Sequence, residues 1–484
     1  MWTDEPTSRR NFLARNAMGI GNLALATMLA RQNLLATSPV KPVAAHSFDT
    51  HARATPSEPK AKAMISLFMH GGPSHMDLTD PKPELTKRHG QDYQGDIKYS
   101  FVNRASKKLK GTQWKFQKHG QCGTEISELL PHTAGIVDDI CLIRSMHTGG
   151  NGHEVSIRYW HGGIAGVNGR PTMGSWLTYG LGSDADNLPA YMVLKDPGGN
   201  PTDGPSNWSN GWLPPLFRGT VLRAKEPRIH NLTPPDYLKG ELQRQNLDFL
   251  RSLNQRHLAA NPGERDLEAR IESYELAARM QIAATEALDI SGESAATKKL
   301  YGIGEKATDE YGKRCLIARR LVERGVRFVQ LFLAGQPWDN HTSIATLLPA
   351  ICARTDQPAA ALVRDLKARG LLDSTIVHWG GEIGRLPVTE NHSGVKAKEG
   401  RDHNGQGFSC WVAGGGFKGG MTYGETDEFG HRAVVNKVTP NDYQATVLHQ
   451  FGLDHRKLTF QYNGQEKSLT NNRDCRVVNE LLKS

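Results

Sequence analysis

Tyr311-Gly-Lys-Arg-Cys-Leu-Ile-Ala-Arg-Arg-Leu-Val-Glu-Arg-Gly325 runs directly into Val326-Arg-Phe-Val-Gln-Leu-Phe-Leu333, and this junction decides the fold class. The first piece, Tyr311 to Arg324, is predicted helical and stops at a glycine; the second, Val326 to Leu333, is a predicted strand. The same order recurs at once, with a helix from Ile344 to Ala368, a stop at Gly370 and a strand from Ser374 to Trp379. Helix, glycine and strand, twice over, predict an α/β fold whose parallel sheet is covered on both faces. In such sheets ligands gather at the carboxyl ends of the strands.

Outward from this core, Ala63 to Met69 is a short apolar run that ends abruptly in His70-Gly71-Gly72-Pro73, as a buried strand delivering a loop would. Ile140 to Arg144 reads as a further strand, and Phe408 to Ala413 is another apolar run. Between them, Asp196 to Pro235 is rich in Pro, Gly, Asn and Trp and is expected to be irregular, while Glu264 to Leu288 has helical spacing. Residues 196–300 are therefore expected to form an inserted cap.

The chain has 484 residues, 38% of them hydrophobic and 23% charged, which excludes disorder, collagen-like repeats and a small disulfide scaffold. The formal charge is +9, but residues up to Ala45 carry five basic and two acidic side chains and so hold +3 of it. The rest is dispersed: Lys107-Lys108-Leu109-Lys110 lacks interleaved aromatics, so no nucleic-acid partner is expected and attraction to anionic substrates is. Six scattered cysteines without a CxxC argue against a zinc ribbon or a dense disulfide framework.

Ser8-Arg9-Arg10-Asn11-Phe12-Leu13 followed by the apolar stretch Ala17 to Ala30 reads as a twin-arginine export signal, with residues 1–45 as signal and cleavage region and 46–59 as linker. Its polar interruptions make it a poor membrane span. The expected location is periplasmic or extracellular, with the folded part starting at Lys60.

Each inferred strand hands over chemically useful residues. The first yields Ser74, His75 and Asp77; the second yields Ser145, Thr148, His153 and Glu154. Downstream strands deliver Asp339 and His341, then Glu382, and Arg401-Asp402-His403 comes shortly before the Phe408 run. Carboxylates and imidazoles converging from separate strands suit one or two divalent cations, since hard oxygen and borderline nitrogen donors satisfy zinc, manganese or similar ions. His75 is read as a structural loop residue and Cys410 as core.

Two longer motifs carry a family resemblance. Gly407-Phe-Ser-Cys-Trp-Val-Ala-Gly-Gly-Gly-Phe-Lys-Gly-Gly420, followed by Val438-Thr-Pro-Asn-Asp442-Tyr-Gln-Ala-Thr446-Val-Leu-His-Gln-Phe-Gly452-Leu, resembles the closing segment of sulfatases and other members of the alkaline phosphatase superfamily. With the twin-arginine start and Met69-His-Gly-Gly-Pro-Ser-His-Met-Asp-Leu-Thr-Asp-Pro-Lys82, the chain resembles an exported, sulfatase-like family, domain-of-unknown-function family 1501. The resemblance implies a three-layer αβα sandwich with a mostly parallel sheet and an inserted cap.

It also implies roles. Asp339, His341 and His403, with Asp402 beside them, resemble the ligands of one divalent metal (zinc, manganese or calcium), and Asp77 and Glu382 resemble the carboxylates of a second. Thr148 or Ser145 stands where a nucleophile would lie, and His153 is similar to a histidine that follows the nucleophilic threonine of nucleotide pyrophosphatases, one residue further on. Arg144 and Arg385 are the candidates for clamping an anion, because guanidinium matches phosphate and sulfate bidentately. The histidine expected after the Ser374 strand is missing: Glu382 is followed by Ile383. The C-x-P-x-R signature of formylglycine sulfatases is also absent; Cys315-Leu-Ile-Ala-Arg319 has isoleucine for proline. The implied activity is metal-dependent hydrolysis of an anionic phosphate or sulfate ester, with a sulfated or phosphorylated saccharide as the substrate class. The rival is a binding protein on the same fold, in which Trp160, Trp208 and Trp212 would stack on sugars if exposed.

Overall fold

The apolar run after Lys62 forms strand β1 (Ala63–Phe68), every residue of which is buried. In the computed structural model, which describes residues 49–100, 106–223, 228–229, 236–238, 240–261, 265–390, 398–471 and 474–483, β1 lies inside an eight-stranded sheet. The other strands are β2 (Ile140–Met146), β3 (Tyr191–Leu194), β4 (Thr220–Leu222), β5 (Phe328–Phe332), β6 (Thr375–Gly380), β7 (Phe408–Ala413) and β8 (Met421–Tyr423). Their order across the sheet is β8-β2-β7-β6-β1-β5-β3-β4. β1 pairs in parallel with β5 and β6, aligning Met64 with Phe328 on one side and Ile376 on the other. Within this sheet only β7 opposes its neighbours, β2 and β6. The expected twin-arginine segment falls outside the described residues.

Seven longer helices accompany the sheet: α1 (His153–Gly162), α2 (Met173–Leu181), α3 (Glu241–Ala260), α4 (Arg265–Leu288), α5 (Asp309–Glu323), α6 (Ile344–Ala368) and α7 (Pro440–Gln450). Because side chains alternate along a strand, each strand feeds two cores. Ile65, Leu67, Val329, Leu331 and Val377 join one apolar cluster with Leu316 of α5 and Leu362 of α6. Met64, Phe68, Phe328, Phe332 and Ile376 join the other with Ile157 of α1, Trp176 of α2 and Val447 of α7. The result is the three-layer arrangement, with helices on both faces. α7 begins with a reciprocal capping box between Thr439 and Asp442, which supplies two of the orphan donors at its start.

The expected elements around the opening junction are present within a residue or two, and the helix from Ile344 to Ala368 and the strand from Phe408 to Ala413 have the expected bounds. β3, β4 and β8 were not anticipated; at three or four residues each they are too short to show a periodicity. β4 also changes the picture of the middle segment, since it adds a parallel edge strand beside β3 rather than standing off as a cap. α4 packs on the core through Met280, Ala284 and Ala287, while α3 buries no residue. All six cysteines are free. Among the described residues no helix is long and apolar enough to cross a membrane.

The consequence for chemistry lies in the strand directions. β1, β5 and β6 end at one rim of the sheet, and β7, running the other way, begins there. Loops leaving the first three and the segment entering the fourth therefore meet.

Candidate metal centre

The loop after β5 carries Asp339 and His341, and its path is pinned by the Trp338 amide, which donates to the His70 carbonyl at 3.2 Å. His403 lies on a two-residue strand, His403–Asn404, paired antiparallel with Gly384–Arg385 just beyond β6. His153 is the first residue of α1, behind an extended Gly152. Three elements thus bring one carboxylate and three imidazoles together.

The four donor atoms lie within 4.8 Å of one another. His341 Nε2 is 3.0 Å and His403 Nε2 is 3.1 Å from Asp339 Oδ1. The two ring nitrogens are 2.8 Å apart. His153 Nε2 stands 3.4 Å from Asp339 Oδ2 and, although buried, forms no hydrogen bond. Each ring's other nitrogen is backed from outside: His153 Nδ1 meets Glu382 Oε1 at 2.6 Å, His341 Nδ1 meets Glu390, and His403 Nδ1 meets Ser100 Oγ at 3.1 Å. Side-chain exposures of 7–14% across the four residues place the cluster just below the surface.

Electrostatics distinguish these groups. Burial disfavours charge on His153, but its contacts with Asp339 and Glu382 outweigh that and raise its pKa to about 9. Burial likewise opposes charge on His341, and bonds to Asp339 and Glu390 still push its pKa up. His403 moves down, because burial and the nearby Arg385 charge prevail over Asp339. Burial works against an ionised Asp339 too, yet the Arg385 guanidinium and the three imidazoles hold its carboxyl well below the usual range.

This donor set fits a divalent cation. Bonds of about 2.0–2.1 Å in a tetrahedron put ligand atoms about 3.3 Å apart, close to the separations around Asp339 Oδ1. A ring whose second nitrogen is held by a carboxylate or hydroxyl is the usual support for a metal-bound histidine. His153 Nε2, 3.4 Å from Asp339 Oδ2 and without a hydrogen bond, would complete the set once its proton is displaced.

The remaining sequence candidates separate. Glu382 is fully buried and accepts from the Gly71 amide at 3.0 Å as well as meeting His153 Nδ1, on the side of that ring away from Asp339. Asp402 accepts from the His403 and Ser100 amides at 2.7 and 2.8 Å and lies 3.9 Å from His341 Nδ1, on the outer side of the ring. Asp77 is held by Arg401 through both carboxylate oxygens, at 2.8 and 3.2 Å. Arg385 is completely buried, bonding Asp339 and the carbonyls of Gly71, Gly72 and Arg401, so it is turned inward and not toward an incoming anion. Arg144 donates to the Thr79 carbonyl at 2.9 Å and faces Asp80 at 3.6 Å, a structural role. Ser145 is buried and donates to the Asn436 carbonyl at 2.6 Å, which commits its hydroxyl elsewhere. Thr148 is half-buried, donates to the Gly150 carbonyl and accepts from Ser156; its amide binds the Gly405 carbonyl, tying its loop to the His403 segment.

Three other readings are settled by burial. His75 is a loop residue bonded to the Gly430 carbonyl at 2.7 Å, Cys410 is core, and Cys315 is buried inside α5. Trp160 and Trp208 are buried and form no sugar-stacking surface, while Trp212 is half-buried and stacks on Phe460 and Tyr462. Glu390 and Ser100 escaped sequence reasoning. Neither follows a recognisable strand, and their only cue is spatial.

The fold and the cluster define an α/β protein with a four-donor histidine–aspartate centre at the rim of its sheet. The chain belongs to the family described as "Protein of unknown function (DUF1501)", whose model matches residues 61–482. No curated protein matches it. Among solved structures it is similar to the PsFucS1 sulfatase from Pseudoalteromonas sp., at 12% identity and a TM-score of 0.36, over 93% of this chain and 74% of that one. A second is the lipoteichoic acid synthase LtaP from Listeria monocytogenes, at 9% identity and a TM-score of 0.32, over 85% and 76%. A third is the phosphonate monoester hydrolase SpPMH from Silicibacter pomeroyi, at 10% identity and a TM-score of 0.32, over 73% and 71%. Overlaps this loose carry neither activity nor substrate to this chain.

Proposed function

We propose that the protein is an exported, metal-dependent hydrolase of phosphate or sulfate esters. The observation that carries the reading is the convergence of His153, His341 and His403 Nε2 on Asp339, with Glu382, Glu390 and Ser100 behind the rings. Three nitrogens and one carboxylate favour zinc or manganese over calcium, which takes six to eight oxygens. When bound, such a cation supplies Lewis acidity toward the non-bridging oxygens of an anionic ester.

The chain's own residues prepare that site. Glu382 and Glu390 fix the orientation of His153 and His341. Asp339, whose carboxyl Arg385 and the imidazoles hold well below the usual range, stays ionised as the shared anchor of the three rings. Thr148 is the hydroxyl candidate for attack: its bond to the Gly150 carbonyl, 3.2 Å, is longer than the 2.6 Å bond of the buried Ser145 to Asn436, and Gly405 holds its loop beside the His403 segment. A sulfated or phosphorylated saccharide is the substrate class we propose.

Elemental analysis of the full chain, followed by turnover of aryl phosphate and aryl sulfate after metal addition, tests this reading. Retained zinc or manganese with turnover that Asp339→Asn abolishes is the expected result. Metal-free protein that stays inert after loading would end it. Thr148→Ala separates the nucleophile from the centre, with turnover lost and metal retained.

A further inference from the structure

Six large apolar side chains exposed among the described residues lie in or beside one helical hairpin. In α3, Leu242, Phe249, Leu250 and Leu253 are 48, 61, 51 and 41% exposed, and Tyr237 before it and Tyr274 of α4 are exposed as well. α3 buries none of its 20 residues, whereas α4 is anchored in the core by Met280, Ala284 and Ala287. A helix of that length runs about 30 Å, and an apolar strip along it marks a surface that another element covers. None of these residues takes part in the metal centre.

The strip has a definite order. Leu242, Asn246, Phe249, Leu253, Arg256 and Ala260, all exposed, follow one another at alternating spacings of four and three, the seam of a heptad repeat. Apart from Arg256, the charges lie off this seam: Arg244 pairs with Glu241, and Arg251 meets Asp248 at 3.0 Å and Glu275 of α4 at 3.5 Å. Reversed end to end, the order matches itself. Laid antiparallel about Arg251, two copies of α3 set Phe249 against Leu253, Leu242 against Ala260 and Asn246 against Arg256, each pair occurring twice, with Leu250 flanking the axis. The central layers are then apolar, a large side chain meets a small one at each end, and each polar layer joins an amide oxygen to guanidinium donors. A parallel pairing in register would instead press Arg256 against its own copy, and like charges facing each other oppose association.

From this self-complementarity we propose that α3 is the interface of a homodimer, in which the same helix of a second copy of the chain covers the strip in antiparallel orientation. A two-fold axis demands such a surface, one patch used by both partners, in which each residue meets another that meets it in return. The pairing covers Leu242, Phe249, Leu250 and Leu253 and gives Asn246 and Arg256 to each other. One helix wide, the contact is at the small end of specific interfaces, so association in the micromolar range is expected. The inference is independent of the proposed hydrolysis and of the metal centre.

Sedimentation of the full chain over about 1–100 µM, a range that brackets micromolar dissociation, tests the proposal. A rise from monomer to dimer mass with concentration is expected. Phe249→Asp puts a carboxylate into two apolar layers at once and should weaken the dimer at least about tenfold. Asn246→Glu sets a carboxylate opposite the partner's Arg256 and should strengthen it several-fold, an effect that only the antiparallel pairing about Arg251 produces. Circular dichroism checks that both variants fold; should Phe249→Asp fail, Asn246→Glu decides. A full chain that stays monomeric at the highest concentration overturns the proposal, whether residues 1–48, a lipid surface or a different protein takes the strip. So does a dimer that neither substitution alters, because its interface then lies elsewhere.

Discussion

Two aspartates at one rim of the sheet, the half-buried Asp339 and the buried Asp77, have different surroundings. Asp339 faces three imidazoles beside Arg385 and remains 11% exposed at its side chain; Asp77 faces Arg401 with no imidazole and is sealed. A carboxylate among imidazoles is adjustable, because those rings lose protons in the range where a cation can replace them. A carboxylate whose only charged partner is a guanidinium is closed, since that partner never gives up its charge. The same residue type thus builds a candidate cation site in one place and a structural pair in another, and the partners decide which.

The comparison can be broken at either aspartate. Asp339→Asn is expected to have the largest effect, removing the oxygen shared by His341 and His403. Metal affinity, followed by calorimetric titration, should fall beyond the 10–100-fold that supporting residues usually control. Asp77→Asn should act on stability instead. It strands a buried guanidinium, and chemical denaturation should show a loss of about 3–5 kcal/mol with the metal content unchanged. If Asp77→Asn lost metal and kept its stability, the two regions would have been assigned the wrong way round.

Smaller changes sharpen it. Glu390→Gln keeps the shape behind His341 but removes the charge, and an affinity loss of about 10–100-fold is expected by the same titration. His378 provides the imidazole control. It is buried, meets Ser66 Oγ at 3.3 Å, and burial alone lowers its pKa to about 3. The unfolded chain therefore binds a proton near pH 6.5 that the native protein refuses, so stability is full above that value and falls as the pH drops toward 3. Between pH 7.5 and 5.5 this one ring should cost about 1.4 kcal/mol. His378→Asn should shrink the pH difference measured by urea unfolding by that amount.

Much of the rim was legible along the chain. Asp339, His341, His403 and Glu382 each follow or precede an apolar run, and the structure puts all four in one neighbourhood. The antiparallel course of β7 was not legible. It explains why Arg401-Asp402-His403, which precedes its strand, reaches the rim where the other loops leave theirs. His153 was singled out for a different role, and the approach of its Nε2 to within 3.4 Å of Asp339 follows from the position of α1 across the sheet.

By itself the sequence determined which segments would be buried strands and helices, because apolar periodicity and glycine stops are local properties. It also determined that carboxylates, imidazoles and guanidiniums would be delivered at strand ends. Which acid meets which base was decided only by the tertiary structure. Partner choice depends on angstrom-scale approach between residues such as Asp77 and Arg401, far apart in the chain, and the energy of a buried charge is set by that partner.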